Sequence, residues 1–459
     1  MRAAISSKAL IGIEELRVGM FIHLDMSWMS HPFPLGSFKI ANAAQIETIR
    51  GLGLQRVRWN PSQSDSSVEA SGWGSGSDTL GDDAAPAAAA VAADDVDIEF
   101  GAIDPAEPAT VEPVLSPEAR ARRQHIRALA AQHAAQQLCE RQFTEAARDC
   151  RQLSELAPQK PKDAKAQAEQ LARALVDKML GDQDMCIRLL TEAAGDKAAA
   201  HAMNVTVISL LMGRSLGLGD AEMLDLGVGA MLHDIGKLEL PDRVRHREDH
   251  FSGSELRLYE EHVAHSVSHA RKMGLSAGAT LVIAQHHEHA DGTGFPLRLN
   301  TDRMTPASRI VALVNRYDNL CNPHLAAKAL TPHESLSLMF AQGKTKFDTA
   351  ILGAFIRMMG VYPAGSAVQL TDDRFGLVVG VNSSRPLKPR VLVHEPGVPR
   401  DEALVVDLEA VAGLGIRRSI KPLQLPPATL EYLAPRPRVA YFFEALAHDA
   451  VREDALAAA

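Results

Sequence analysis

A histidine and an aspartate stand side by side in Ala230-Met231-Leu232-His233-Asp234-Ile235-Gly236-Lys237, at the end of an apolar run and with a lysine three residues on. Buried imidazoles and carboxylates are costly unless paired or bound to metal, so the pair calls for partners. The sequence supplies several. His201 lies ahead of Asn204-Val205-Thr206-Val207-Ile208, and His262 sits within Tyr259-Glu260-Glu261-His262-Val263. His286-His287 ends Ala279-Thr280-Leu281-Val282-Ile283-Ala284-Gln285, directly before Glu288-His289-Ala290-Asp291-Gly292-Thr293-Gly294-Phe295-Pro296. The chemistry such a set offers is that of a metal centre. Neutral imidazoles around a carboxylate suit zinc, iron or manganese, and a bridging carboxylate is a common way to hold two such ions close together. Taken alone, His201 reads as an ordinary helix histidine and the 291–296 loop as a plain turn; the ordered set gives each its weight.

The elements that must position these residues are helical. Ala and Leu abound through the middle of the chain and aromatics are 5%, which predicts a mainly α protein. Asp220 is expected to cap the helix that ends in His233-Asp234, with Gly236 in the turn that follows. Thr305 and Pro306 are expected to start the helix containing Arg309-Ile310-Val311-Ala312-Leu313. Ahead of this region, residues 1–61 read as a small α+β module, with strand and turn over 11–22 and a short helix over 43–52. Residues 62–117 are rich in Gly, Ser, Ala, Pro and acidic residues and read as a disordered linker. Residues 118–196 read as a helical connector broken near Pro158 and Pro161, through which two copies could pair. The metal-motif domain spans 197–365. A β-rich segment covers 366–440, from the runs at 366–370, 375–381, 390–393 and 403–408, and a tail completes 441–459.

The 459 residues carry a formal charge of −9, but the stretch from Trp59 to Ala119 holds thirteen acidic residues and no Lys or Arg. Taking those 13 from the 57 Asp and Glu leaves 44 acidic against 48 basic residues, so the remainder is close to neutral and offers no nucleic-acid-binding face. The four cysteines form no CxxC pair, which argues against a disulfide framework or structural zinc and for a reducing cytoplasm. No basic leader with a cleavage site precedes an apolar run, and no uncharged apolar run approaches about 18 residues, so no membrane association is expected.

On these residues the chain resembles the HD-GYP family, the branch of the HD phosphohydrolases that hydrolyses cyclic di-GMP in bacterial signalling. The resemblance covers roughly 197–365. It rests on Leu232-His233-Asp234-Ile235-Gly236-Lys237, on His262, on His286-His287-Glu288 with Asp291-Gly292-Thr293-Gly294-Phe295-Pro296, on Arg309-Ile310-Val311-Ala312-Leu313 and on Tyr362-Pro363-Ala364-Gly365. Phe295 stands where the family's name has tyrosine. The resemblance implies an all-helical metal domain in which His201, His233, Asp234, His262, His286 and His287 hold two divalent transition-metal ions (iron, manganese or zinc), with Asp234 bridging. It implies in-line hydrolysis of a phosphodiester. Asp234 and Lys237 would be the catalytic pair, Lys237 holding a non-bridging phosphate oxygen, while Asp291, Gly292, Gly294, Phe295 and Pro296 would line the substrate.

Three positions depart from the family. Lys197 replaces a glutamate four residues before the first histidine, which serves a third metal, and its ammonium would point toward that place. Asn315 replaces a metal-binding aspartate with an amide, a weaker and uncharged ligand. Leu320-Cys321-Asn322-Pro323-His324-Leu325 lacks the arginine by which family members contact the dinucleotide. These replacements predict an enzyme of reduced activity. The alternative is a catalytically impaired module that binds a cyclic dinucleotide or a signalling protein on the same fold.

Overall fold

The computed structural model describes residues 9–26, 33, 37–65, 116–179, 184–190, 196–343 and 345–445. The chain divides into two compact units, one of residues 1–24 and 37–126, the other of 25–36 and 127–459. The stretch read as an acidic linker is described only at its two ends. Its remainder, and residues 446–459 of the expected tail, lie outside the described residues.

In the first unit, strands β1 (Ala9–Gly12), β2 (Phe21–His23) and β3 (Ser37–Lys39), helix α1 (Ala43–Gly51) and strand β4 (Arg56–Trp59) form a small α+β arrangement. The strands pair antiparallel in the order β1-β4-β2-β3. β4 alternates exposed and buried residues, the mark of a sheet with one solvated face. Asn42 caps α1 by accepting the Gln45 amide at 3.0 Å, and Ile11, Ile22, Ile40, Ile49 and Val57 form the core.

The second unit is mainly α. Among the described residues its helices are α2 (Pro117–Leu156, which belongs to this unit from residue 127 on), α3 (Pro161–Met179), α4 (Lys197–Ser215), α5 (Asp220–Leu232), α6 (Gly253–Met273), α7 (Ala277–Gln285), α8 (Pro306–Cys321), α9 (Pro332–Gln342), α10 (Thr349–Met359) and α11 (Pro427–Leu433). α8 starts as expected, with Thr305 Oγ1 accepting the Ser308 amide at 3.1 Å and Pro306 in the first turn. α5 does not. Gly219 occupies the cap position and its N–H is taken by the Glu222 carboxylate at 3.1 Å; Asp220 is already helical, so it cannot cap. α5 and α7 approach closely at Gly229, where a Cβ would overlap the Val282 side chain.

Seven strands close this unit: β5 (Met185–Leu189), β6 (Ala367–Leu370), β7 (Phe375–Asn382), β8 (Arg390–Val393), β9 (Val405–Asp407), β10 (Ile416–Ser419) and β11 (Tyr441–Ala445). Their order is β10-β6-β7-β5-β11, with β8 on β7 and β9 on β8, all antiparallel. Two of these strands fall where the sequence suggested none. β5 lies in residues read as a helical connector, and β11 in residues read as a tail. Every residue of β5 is buried, so Met-Cys-Ile-Arg-Leu shows no alternation to mark it as a strand. Its place is set by pairing with β7 and β11, hundreds of residues away.

Candidate metal centre

The ends of helices deliver the site. His201 lies one turn into α4, His233 ends α5, Asp234 follows it, His262 sits mid-way along α6, and His286 ends α7 with His287 next. Gly236 allows the turn after Asp234 to press on α6, since a Cβ there would overlap the His262 carbonyl and the Ser266 amide; its own N–H donates to Ser266 Oγ at 2.8 Å. The six side chains fall into two groups that share Asp234, one with His201 and His233, the other with His262, His286 and His287. Within each, the candidate ligand atoms lie within 4.8 Å of one another. Asp234 turns Oδ2 toward His201 and His233, at 3.6 and 3.4 Å, and Oδ1 toward His262 and His286, at 3.4 and 3.6 Å.

The hydrogen bonds assign the tautomers. Nδ1 of His233 donates to the Ala230 carbonyl at 2.7 Å, Nδ1 of His262 to the Tyr259 carbonyl at 2.5 Å, and Nδ1 of His286 to the Ile283 carbonyl at 2.7 Å. Nδ1 of His201 donates to the Asp318 carboxylate at 2.6 Å. Carbonyls and carboxylates accept only, so in its neutral form each ring carries its proton on Nδ1 and a lone pair on Nε2. Yet Nε2 of His201 faces Nε2 of His233 at 3.2 Å, and Nε2 of His262 faces Nε2 of His286 at 3.3 Å. Two lone pairs at that distance repel unless a cation lies between them. Asp234 Oδ1 and His287 Nε2 are both buried with no hydrogen-bond partner. Orphaned acceptors of this kind are what a metal ion satisfies, and the N/O donor set fits divalent transition metals.

The charges agree. Burial would raise the Asp234 carboxyl, but Lys237 and His233 hold it well below the usual carboxylate range. Burial would likewise lower Lys237, whose pairing with Asp234 at 2.6 Å holds it above its usual value instead. Burial pushes His262 down to about 3, and lowers His233 and His287 as well, so these rings stay neutral and able to ligate.

Beyond the ligands, Glu288 is fully buried and accepts the amides of Leu297 and Leu299, at 2.6 and 2.8 Å. It therefore anchors the loop from Asp291 to Pro296. Asp291 builds the loop itself, accepting the Thr293 amide at 3.0 Å, while Gly292 takes φ +74° and Gly294 leaves no room for a Cβ above the His287–His289 backbone. Phe295 stacks on His287, ring centres 4.4 Å apart. Asn315 is buried on α8, with its side-chain oxygen accepting Asn319 Nδ2 at 2.6 Å. Asp318, one turn further, is not a replacement ligand: it orients His201, and its Oδ1 accepts the amides of Asn204 and Asn322, each at 2.8 Å. Sequence reasoning missed this role. The available signal was three amide or acid side chains, Asn315, Asp318 and Asn322, at helical spacing.

A model of the HD domain matches residues 159–351, and a model described as a domain of unknown function, DUF3391, matches residues 9–168. The cyclic di-GMP phosphodiesterase PA4108 of Pseudomonas aeruginosa is 28% identical over 83% of this chain and 84% of its own length. The cyclic di-GMP phosphodiesterase PdeB of Borreliella burgdorferi is 24% identical over 42% of this chain and 50% of its own. The 3'3'-cGAMP-specific phosphodiesterase 3 of Vibrio cholerae is 26% identical over 38% of each. The paired histidine groups built about one aspartate, His201 to His287, lie within the stretch that matches the HD domain, and the chain is similar over that stretch to phosphodiesterases of the HD-GYP type.

Proposed function

We propose that the chain is a metal-dependent phosphodiesterase that hydrolyses cyclic di-GMP in bacterial second-messenger signalling. The observation that carries this reading is the pair of opposed imidazole couples sharing one carboxylate whose Oδ1 has no hydrogen-bond partner, a geometry suited to two divalent ions held side by side. The names of the relatives that share the domain support the substrate. The chemistry such ions supply when bound is charge neutralisation on a phosphate and acidification of a water. The protein does the rest. Asp234 holds its two oxygens toward the two groups, and the carbonyls at Ala230, Tyr259 and Ile283 keep three Nε2 lone pairs pointed inward. Lys237 shares an edge of Asp234 from which its ammonium can reach a non-bridging phosphate oxygen. Asp291, Gly292, Gly294, Phe295 and Pro296 form the loop offered to the dinucleotide, with Phe295 fixing the His287 ring.

A second reading, a module that binds a cyclic dinucleotide or a protein without turnover, is favoured by Asn315, whose amide oxygen is already spent on Asn319. The experiment that separates them follows cyclic di-GMP hydrolysis and metal content of anaerobically purified wild type beside Asp234→Ala and Asn315→Asp. Turnover by wild type and none by Asp234→Ala supports the enzyme. Metal without turnover in wild type, with turnover gained in Asn315→Asp, supports the module.

A further inference from the structure

A small cavity of about 40 Å³ lies beside His201, walled by Lys197, His201, Asn204, Asn322 and Arg438, with apolar side chains on the rest. At roughly 10–15 Å³ per water it has room for about three waters, the bulk of one phosphate group and far less than a nucleobase. Its polar atoms can be counted. Asn204 Nδ2 donates to Asp318 Oδ1 and to the Val439 carbonyl, and its oxygen accepts the Tyr441 amide at 3.0 Å. Asn322 Nδ2 donates to the same two acceptors, and its oxygen accepts the Val439 amide at 2.9 Å. His201 faces Asp318 with one nitrogen and His233 with the other. What remains for an occupant is the Lys197 ammonium and the part of the Arg438 guanidinium not engaged by Nη2, which donates to the Pro323 and His324 carbonyls at 2.9 and 3.0 Å.

The free groups are therefore donors only, on two cations that no carboxylate pairs among the described residues. Against the one buried carboxylate of Asp318, a positive charge is left over. Water oxygens can accept from such donors but bring no charge; an anion supplies both the acceptors and the negative charge this wall lacks.

We propose that this cavity binds a phosphate monoester, the terminal group that hydrolysis of a cyclic phosphodiester exposes. The inference rests on the proposed reaction, in which the oxygen of water bonds to phosphorus as the P–O bond to the ribose breaks, one proton of that water goes to the leaving ribose oxygen and the other to solvent, and a monoanionic diester becomes a dianionic monoester. Two cations match the second charge. Arg438 lies beyond residues 159–351 of the HD domain match, so the C-terminal segment supplies half of the site.

The test is calorimetric binding of inorganic phosphate, 5'-phosphorylated linear di-GMP and cyclic di-GMP to the full-length metal-loaded protein, with metal content measured alongside. Lys197→Ala and Arg438→Ala are each expected to weaken phosphate and the linear product by about ten-fold, leaving cyclic di-GMP affinity and metal content unchanged, and Lys197→Arg to retain binding. Lys197 is exposed at the start of its helix, so its variants stay folded even if Arg438→Ala loosens the turn at Pro323 and His324. Unchanged phosphate affinity in the Lys197 variants overturns the site and assigns phosphate to the ions alone; a fall in metal content that accounts for lost affinity overturns it too. If wild type hydrolyses no cyclic di-GMP yet the variants lose phosphate, the cavity stands and the reaction falls. If wild type hydrolyses it and the variants bind phosphate normally, the reverse holds.

Discussion

Replacing Asp318 with asparagine should weaken metal binding at the His201 and His233 group and spare the group of His262, His286 and His287. Asp318 Oδ2 accepts the Nδ1 proton of His201 at 2.6 Å, and Oδ1 accepts two amide donors at 2.8 Å each. In Asp318→Asn one of those oxygens becomes an NH2 group. Turned toward His201, it forces the ring to move its proton to Nε2, where the lone pair is needed. Turned away, it meets the donors of Asn204 and Asn322 with nothing to accept it, at a cost of about 1–3 kcal/mol. Loss of such an orienting partner weakens metal binding by about 10–100-fold, which is about 1.4–2.7 kcal/mol. The group of His262, His286 and His287 makes no bond to Asp318, so its ion should keep wild-type affinity. Anaerobic titration against a competing chelator, with metal counted per chain, reads both positions. Two ions at wild-type affinity, or both ions lost together, would refute the reasoning.

Three further outcomes are expected. Gly236→Ala should lower stability by about 1–3 kcal/mol or more, seen as an earlier urea midpoint, because a methyl group there overlaps fixed backbone of α6. In chelator-treated protein, stability should fall with acid: His262 titrates at about 3 when folded against a usual 6.5, so the unfolded chain takes up the proton first. The contribution is complete above about pH 6.5 and declines toward pH 3 by up to about 5 kcal/mol; urea midpoints that rise on acidification would contradict it. Finally, Cys139, Cys150, Cys186 and Cys321 are free and buried, with thiols pushed up to about 12, so an aromatic disulfide reagent at pH 8 should label none in native protein and all four in denaturant.

The helical body, the small N-terminal α+β module and the C-terminal strands were legible because each rests on local pattern: Ala- and Leu-rich periodic runs, the Thr305-Pro306 start, and short β-prone stretches between turn residues. The histidines and Asp234 were legible as an ordered set, and the structure gathers all six about one point. What local pattern could not show is set by distant residues. β5 is a strand because β7 and β11 receive it, although five buried residues in a row read equally as helix. Asp220 looked like a cap by type, but the Glu222 carboxylate makes Gly219 the better one. The role of Asp318 depends on Asn204 and Asn322, and both asparagines are themselves fixed by the backbone of Val439, in the segment read as β-rich and outside the metal-motif domain. Glu288 carries no role in the sequence reading beyond its place in the His-His motif; its two amide partners across the loop make it an anchor.

In the proposed enzyme Asp234 would bridge two ions, and X-ray absorption at the metal edge, with metal counted per chain on anaerobically purified protein, reads that bridge. The expected result is two ions per chain with a metal–metal vector of about 3.5–4 Å that disappears in Asp234→Ala. A single ion per chain, or two ions whose separation is unaffected by Asp234→Ala, would contradict it.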